Sequence, residues 1–473
     1  MRRLSEMTKR IAVVGGGTAG LSAAYSLQKR KSAGAPVEFV VYETGQHLGG
    51  VIRTERIDDC VIEAGPDSFL TEKPWAADLC RELGLGDQLI ASNDAERKTY
   101  MLVKGRLVPI PDGLMFMVPT KLLPTFLSPM FSLGTKARIV REWLSPPKPK
   151  TTEMTVAQFV ERHYGREMVD RVADPLLGGV YGGSADQLSV NAVLPRFVQM
   201  ETKYGSLGRA MVAARNNSSS TAPRPLFTSL KSGMQQMTDA LIVRVPKEAL
   251  RPGVRVEAVK PESRKWLVIN NGRTEEYDAV VIATPAHAAA ALMSGQPELA
   301  AELKAIPYTS SMTVVLGYDQ NVRAALPPGF GFLVPRTEDR NILAATFVHN
   351  KFPHRTPENR ALIRCFIGGS VAEQMFEQGE SDIASTVERE LKSILSLNAS
   401  PMFARVYKWR KAMAQYTVGH SARVDRIKSL VAQTPGLALA GNAYSGIGVP
   451  DCVRTGTEAA MSVISYIGFE SPS

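Results

Sequence analysis

Ile11-Ala12-Val13-Val14-Gly15-Gly16-Gly17-Thr18-Ala19-Gly20 decides the fold. Four apolar residues rich in β-branching predict a buried strand. The glycines predict a tight turn, and the periodic apolar residues from Leu21 to Leu27 a helix. The spacing is GxGxxG. Gly15 permits the turn, Gly17 lets the backbone approach a pyrophosphate, and Gly20 lets the helix pack close to the strand. The N–H groups at Thr18 and Ala19 open a helix whose dipole favours an anion. Val37 to Tyr42 reads as a second strand ending at Glu43. It lies roughly 20 residues on, where a carboxylate binds a ribose hydroxyl. These features predict a Rossmann-type nucleotide site.

Working outward, Leu48-Gly49-Gly50-Val51-Ile52-Arg53 follows the ribose-binding position. Gly49 and Gly50 let the chain pass close to a dinucleotide, and Arg53 is a candidate partner for phosphate or a brace on the flavin side. In Glu63-Ala64-Gly65-Pro66-Asp67-Ser68-Phe69, Gly65 and Pro66 stand where a chain runs past a flat ring. At the other end of the chain, Gly441-Asn442-Ala443-Tyr444-Ser445-Gly446-Ile447-Gly448-Val449-Pro450-Asp451 precedes a helix. Its N–H groups suit the ribityl chain and pyrimidine edge of a flavin. Two distant segments around one long cofactor favour FAD over NAD.

The 473 residues hold two or three domains at roughly 100–200 residues each. A hydrophobic fraction of 44% and a charged fraction of 22% exclude general disorder. Lys and Arg number 56 against 46 Asp and Glu, a net charge of +10. No nucleic-acid module accompanies that excess. It reads as a solvated surface, with acidic lipids or a polycarboxylate substrate as alternatives. Cys60, Cys80, Cys365 and Cys452 form no paired motif, so neither a disulfide framework nor a metal site is expected. Met1 to Arg10 lacks the apolar stretch of a secretory signal, and no apolar run is long enough to span a bilayer. The expected location is cytoplasmic, with peripheral contact on the inner face of the cell membrane as an alternative.

Trp75, Leu79 and Leu83 predict a helix capped at Gly84. Thr99–Val103 and Arg106–Ile110 predict a hairpin about Lys104-Gly105. Leu114 to Leu144 reads as mostly helical, Val156 to Val172 as an amphipathic helix, Asn216 to Pro225 as a loop, and Met234 to Val245 as helix. Strands are expected at Arg255–Val259, Lys265–Asn270, Ala279–Ala283, Met312–Tyr318, Ile342–Val348, Leu362–Ile367 and Leu437–Leu439, and a final helix at Thr457–Ile467. The fold class is α/β: a Rossmann-type FAD-binding domain, a mixed-sheet substrate domain and a mainly helical insert. The division is 1–75, 224–300 and 425–473 for the cofactor, 76–113 and 301–424 for the substrate, and 114–215 for the insert. In the insert, Phe116, Met117, Leu122, Leu123, Phe126, Met130 and Phe131, with Lys121, Lys136 and Arg138, form either an internal core or a membrane-facing patch.

These motifs, with Asp174-Pro175-Leu176-Leu177-Gly178-Gly179-Val180-Tyr181-Gly182-Gly183, Leu188-Ser189 and Gln415-Tyr416-Thr417-Val418-Gly419-His420, resemble the oxygen-dependent protoporphyrinogen and coproporphyrinogen III oxidase family. That family lies within the FAD-linked amine oxidase superfamily, and the resemblance runs over nearly the whole chain. It implies oxidation of a porphyrinogen by O2 in haem biosynthesis, with contact to a downstream haem-pathway enzyme as a further implication. It extends the FAD contacts to Val256, Ala283 and Trp409, beside Gly65, Gly441, Ile447, Val449 and Asp451, and implies a substrate pocket of Phe330, Leu333, Phe366 and Met413. Mammalian members carry an arginine at the position of Asp67 and another near Thr99. Both are missing here, leaving Lys73, Lys98 and Arg106 as candidate anchors for substrate propionates. No side chain is assigned as a catalytic acid or base, because hydride transfer to flavin N5 needs none. His420 and His287 read as structural. An amine oxidase, a carotenoid desaturase and a non-catalytic flavin or porphyrin carrier are the competing readings.

Overall fold

The computed structural model describes residues 8–149, 152–216 and 225–469. The Asn216–Pro225 loop and the segment Met1–Arg10 fall largely outside them.

The strand Lys9–Val14 is the centre of a five-stranded parallel sheet. Its neighbours are Val37–Glu43 on one side and Ala279–Ile282 on the other, in the registers Val13↔Val41 and Val13↔Val281. Leu250–Pro252 and Leu437–Leu439 form the edges. The apolar run is buried on both faces, as a parallel sheet requires. On one face pack the helices Thr18–Ser32 and Val449–Tyr466. They approach so closely that a Cβ on Gly456 would lie 2.1 Å from the Ala19 carbonyl oxygen. The other face carries the antiparallel ladder Val256–Glu262, Lys265–Asn270 and Arg273–Tyr277, packed through Trp266, Val268 and Tyr277.

A second, seven-stranded sheet runs in the order Phe403–Ala414, Tyr308–Asp319, Arg360–Gly368, Ala344–Phe347, Gly331–Leu333, Thr99–Val103, Arg106–Pro109. Only the pairing of Gly331–Leu333 with Thr99–Val103 is parallel. Alternation sends Met312, Val314, Leu316 and Tyr318 to a core shared with the helix Glu380–Leu395. Val315 faces the opposite way, onto the hairpin Thr54–Ile57/Cys60–Glu63. The expected hairpin at Lys104-Gly105 is present, and both residues have positive φ, 51° and 73°.

The region 114–215 is mainly helical, with one correction. Leu114–Met115 and Val118–Pro119 form a small hairpin, and only Leu122–Leu127 and Leu133–Trp143 are helical in that stretch. Pro129 explains the break, because it forces Ser128 to an extended ψ of 136°. Met117, Met130 and Phe131 are core residues, whereas Phe116, Leu123 and Phe126 are exposed. The helix expected at Val156–Val172 starts on a Thr155–Gln158 capping box and stops at Gly165, where φ is 91°. It resumes at Arg166 and passes through a π turn to Tyr181. The last helix begins at Val449, eight residues before the expected start. Pro450 in its first turn suits a helix start, and Asp451 caps the Gly448 N–H. Among the described residues, no helix is long and apolar enough to cross a membrane.

Candidate active site

Strands Lys9–Val14, Val37–Glu43, Ala279–Ile282 and Leu437–Leu439 are parallel, so their following loops gather at one edge. In open α/β sheets this carboxyl edge is where ligands bind. Gly15 sits there with φ 109°, and a Cβ on it would come within 2.7 Å of the Ala283 carbonyl oxygen. A Cβ on Gly20 would lie 1.8 Å from the Gly15 carbonyl oxygen. Thr18 and Ala19 open the helix, both buried. Glu43 accepts the N–H of Gly16 at 2.8 Å and of Gly45 at 2.7 Å.

The second glycine pair joins this edge. The Gly49 N–H donates to the Gly16 carbonyl at 2.8 Å, and Gly17 and Gly49 form a parallel bridge. A Cβ on Gly17 would meet nothing nearer than the Gly50 Cα, at 3.8 Å. Gly441, with φ 125°, has no atom within 4 Å of the corresponding position, and its N–H donates to Thr455 Oγ1 at 3.1 Å. Gly17 and Gly441 therefore have room beside them that Gly15, Gly16 and Gly20 on the same edge lack. Val256 is buried at the start of its strand beside this sheet. Arg53 is paired with Glu55 at 2.6 Å, its side chain largely exposed.

The C-terminal loop is held by residues whose role the sequence did not disclose. The Tyr416 hydroxyl donates to the Asn442 carbonyl at 2.8 Å and accepts the Gly446 N–H at 2.9 Å. His420 stacks on the Tyr416 ring at 3.9 Å, and burial pushes its pKa down to about 4, which agrees with a structural role. The Gln415 side chain donates to the Tyr181 carbonyl, Thr309 Oγ1 and the Met413 carbonyl at 2.6–3.1 Å. The segments around Pro175 and Gln415 thus meet each other. Ile447 packs beside the same core, and Val449 is buried at the helix start. Asp451 is 3% exposed and pairs with Lys73 at 2.6 Å, which occupies one candidate propionate anchor. Lys98 and Arg106 are exposed. His287 is exposed, with its ring edge-on to Tyr308.

The second sheet supplies the wall. Pairing in register aligns Leu333, Ala344, Phe366, Thr313 and Tyr407 in one row across five strands, hence on one face. Trp409 lies on that face too, and its indole N–H donates to the Ala64 carbonyl at 2.9 Å, beside Gly65. Gly65 cannot carry a side chain, because a Cβ would lie 1.9 Å from the Val51 carbonyl oxygen. Met413 pairs with Thr309 on the adjoining stretch, its sulfur 3.0 Å from where a Gly182 Cβ would be. Phe330 is buried just before Gly331, whose φ of 137° interrupts the alternation, so strand geometry does not fix its face.

Arg364 lies two residues from Phe366 on the same strand. Its guanidinium stacks on that ring at 4.4 Å and donates to the Gly65 carbonyl. Behind Gly65, Asp67 is flanked by Lys351, at 3.0 and 3.1 Å, and by Arg364, at 3.8 Å. Burial opposes the Asp67 charge, yet the two cations hold its carboxyl well below the usual range. Asp67 is therefore a neutralised anion rather than a free one. Arg355, fully buried, meets Glu63 at 2.9 Å and Ser229 Oγ at 2.6 Å. Burial raises the Glu63 carboxyl. Arg364 went unread in the sequence, although alternation in Arg364-Cys365-Phe366 puts it on the same strand face as Phe366. Nothing local signalled Lys351.

The chain matches the flavin-containing amine oxidoreductase family over residues 18–464. It is 32% identical to coproporphyrinogen III oxidase of Bacillus subtilis (strain 168), covering 98% of this chain and 100% of the relative. To the protein of the same name from Staphylococcus aureus (strain NCTC 8325 / PS 47) it is 30% identical, with 98% and 100% coverage. A crystal structure from Exiguobacterium sp. 255-15, provisionally described as a protoporphyrinogen oxidase, superposes with TM-score 0.86 at 29% identity, covering 96% of this chain and 98% of that one. Reduced UDP-galactopyranose mutase shares the fold alone, with TM-score 0.71 at 16% identity over 98% of each chain. With the glycine-lined edge, these likenesses lead to one conclusion: the chain belongs to the flavin-containing amine oxidoreductase family.

Proposed function

We propose that this chain is an FAD-dependent oxidase that converts coproporphyrinogen III to coproporphyrin III in haem biosynthesis, with three O2 reduced to three H2O2. The observation that carries the reading is the seating of the Ala64–Gly65 turn between the two sheets: it accepts from Trp409 and Arg364 on the face of the Leu333–Phe366 row, and packs on Val51, next to the glycine pair bridged to Gly17. The names of the Bacillus and Staphylococcus relatives support the substrate.

Bound there, FAD would accept hydride and pass electrons to O2, supplying all of the redox chemistry. The chain's part is orientation. Gly15, Gly17, Thr18, Ala19 and Gly20 would hold the pyrophosphate, Glu43 the ribose, and Gly49, Gly50 and Arg53 the adjoining phosphate side. Val256 and Ala283 would border the adenine half, and Gly65, Trp409, Gly441, Ile447, Val449 and Asp451 the flavin half. Phe330, Leu333, Phe366 and Met413 would seat the flat tetrapyrrole and exclude water from it. The division at residues 75, 113, 215, 300 and 424 is part of the proposal.

Exposed Phe116, Leu123, Phe126, Leu127 and Leu133, with Lys121 and Arg138 exposed nearby, support peripheral attachment of the helical region to an acidic bilayer. The four free thiols support a reducing, cytoplasmic setting.

The test is porphyrin fluorescence from coproporphyrinogen III and protoporphyrinogen IX side by side, in air with catalase, and chromatography of the released flavin. Turnover of coproporphyrinogen III above autoxidation, with FAD released, is expected. A yellow protein that turns over neither porphyrinogen rules the reading out.

A further inference from the structure

The charged cluster behind the Gly65–Asp67 turn does not balance. Lys351, Arg355 and Arg364 face Glu63 and Asp67, so three cations meet two carboxylates. Arg355 is 0% exposed, Glu63 3%, Arg364 4% and Lys351 8%. Arg364 also neighbours the Tyr407 hydroxyl, which burial raises and keeps neutral; that hydroxyl donates to Glu55, whose charge is met by Arg53 at 2.6 Å. One positive charge is left over in the protein interior, where it is costly unless a counter-charge sits beside it.

The same groups leave hydrogen bonds unmade. Arg355 Nε and Nη1 and Arg364 Nε are buried without a partner among the described residues. All three are donors, and no unpaired acceptor accompanies them in the cluster. Arg355 and Arg364 line a small space of about 10 Å³ together with Glu63, Asp67 and apolar residues that include Val315 and Leu362. A space of roughly 10–15 Å³ admits one water-sized body. Excess positive charge, orphaned donors and a small space coincide at Arg355 and Arg364.

We propose that this space is a binding site for one small monovalent anion of the halide class, held between Arg355 and Arg364. A halide accepts several N–H bonds, donates none and cancels the leftover charge. A water molecule would satisfy donors and leave the charge. Phosphate, sulfate and carboxylate ligands are too large, and a metal cation has the wrong sign. Through Arg364, which donates to the Gly65 carbonyl and stacks on Phe366, the anion braces the turn that the proposed cofactor site borders.

The test uses the full-length protein as purified. Its melting temperature is followed while sodium chloride or bromide replaces sodium gluconate at constant ionic strength. Crystals grown in bromide are examined for anomalous scattering. A saturable rise with halide is expected, with a bromide peak between the Arg355 and Arg364 guanidinium groups. E63Q removes one carboxylate charge from the cluster and is expected to lower the half-saturating chloride concentration at least about tenfold. A melting temperature indifferent to the anion overturns the proposal. So does density in which water alone fills the space, or an E63Q protein with unchanged chloride dependence. The bromide measurement needs no variant, so it stands even if E63Q does not fold.

Discussion

Replacing Gly17 by valine separates cofactor binding from folding. Gly17 has φ −76° and ψ −174°, extended backbone that valine adopts readily. Its Cβ would meet only the Gly50 Cα at 3.8 Å, ordinary contact. The fold should therefore change in stability by no more than about 0.5 kcal/mol, as for a substitution that clashes with nothing. The branched side chain would instead fill the space proposed for the pyrophosphate. Each backbone N–H bond to a charged oxygen is worth about 1.5–3 kcal/mol. Losing two of them costs roughly 3–6 kcal/mol, or about 10²–10⁴-fold in affinity. The assay is the flavin-to-protein absorbance ratio, then titration of the apoprotein with FAD and its melting in FAD-free buffer. The expected result is a colourless protein that melts like wild-type apoprotein. Gly20→Val is the control, because its Cβ would lie 1.8 Å from the Gly15 carbonyl oxygen and should damage the fold itself. A Gly17→Val protein retaining wild-type flavin would refute the placement of the pyrophosphate.

Tyr416→Phe removes the hydroxyl that holds Asn442 and Gly446 and should cost about 1–3 kcal/mol. It should show as a lower melting temperature and faster flavin release, and unchanged values for both would refute the clamp. Phe366→Ala should raise KM about tenfold or more by removing an apolar wall, with the flavin-to-protein ratio unchanged. An unaltered KM would move the substrate off this face. His420 and His349 are both neutral in the fold, with pKa pushed down to about 4 by burial. Unfolded histidine takes up its proton near pH 6.5, so the unfolded state binds more protons between about 6.5 and 4, and stability falls with acid across that window. Each contributes up to about 3 kcal/mol to that loss. His420→Phe, which can keep the stack on Tyr416, should flatten the slope of denaturation midpoint against pH. An unchanged slope would exclude His420 as a source.

The sequence was most legible where local pattern and tertiary role coincide. The glycines of the first turn, the second strand ending at Glu43 and the Lys104-Gly105 hairpin all state their geometry within a few residues. Leu114–Leu144 misled because its apolar residues fit a helix while Pro129 and the Phe116 turn divide it. The strand Phe403–Ala414 went unread. It is an edge strand whose exposed Arg405, Arg410 and Lys411 blur the alternation. Leu333 and Phe366 were identifiable by resemblance, but that they share a face follows only from the register of the intervening strand. The pairing of Asp67 with Lys351 joins residues far apart in the chain, and local pattern carries no trace of it.

The parallel sheet draws its strands from three remote stretches: Lys9–Glu43, Leu250–Ile282 and Leu437–Leu439. During synthesis the first stretch emerges early with a nearly complete nucleotide motif, yet the edge strand and the helix Val449–Tyr466 that packs on Thr18–Ser32 come last. The ribosome must make the whole seven-stranded sheet and helical region before the first domain can close. Domains generally fold as units in order of emergence, and here the first begun is the last finished. Until then the apolar face of Thr18–Ser32 waits uncovered, a stretch for chaperones to shield. A chain cut short of Leu437 lacks both the edge strand and the helix that covers Thr18–Ser32, and is expected not to hold a flavin.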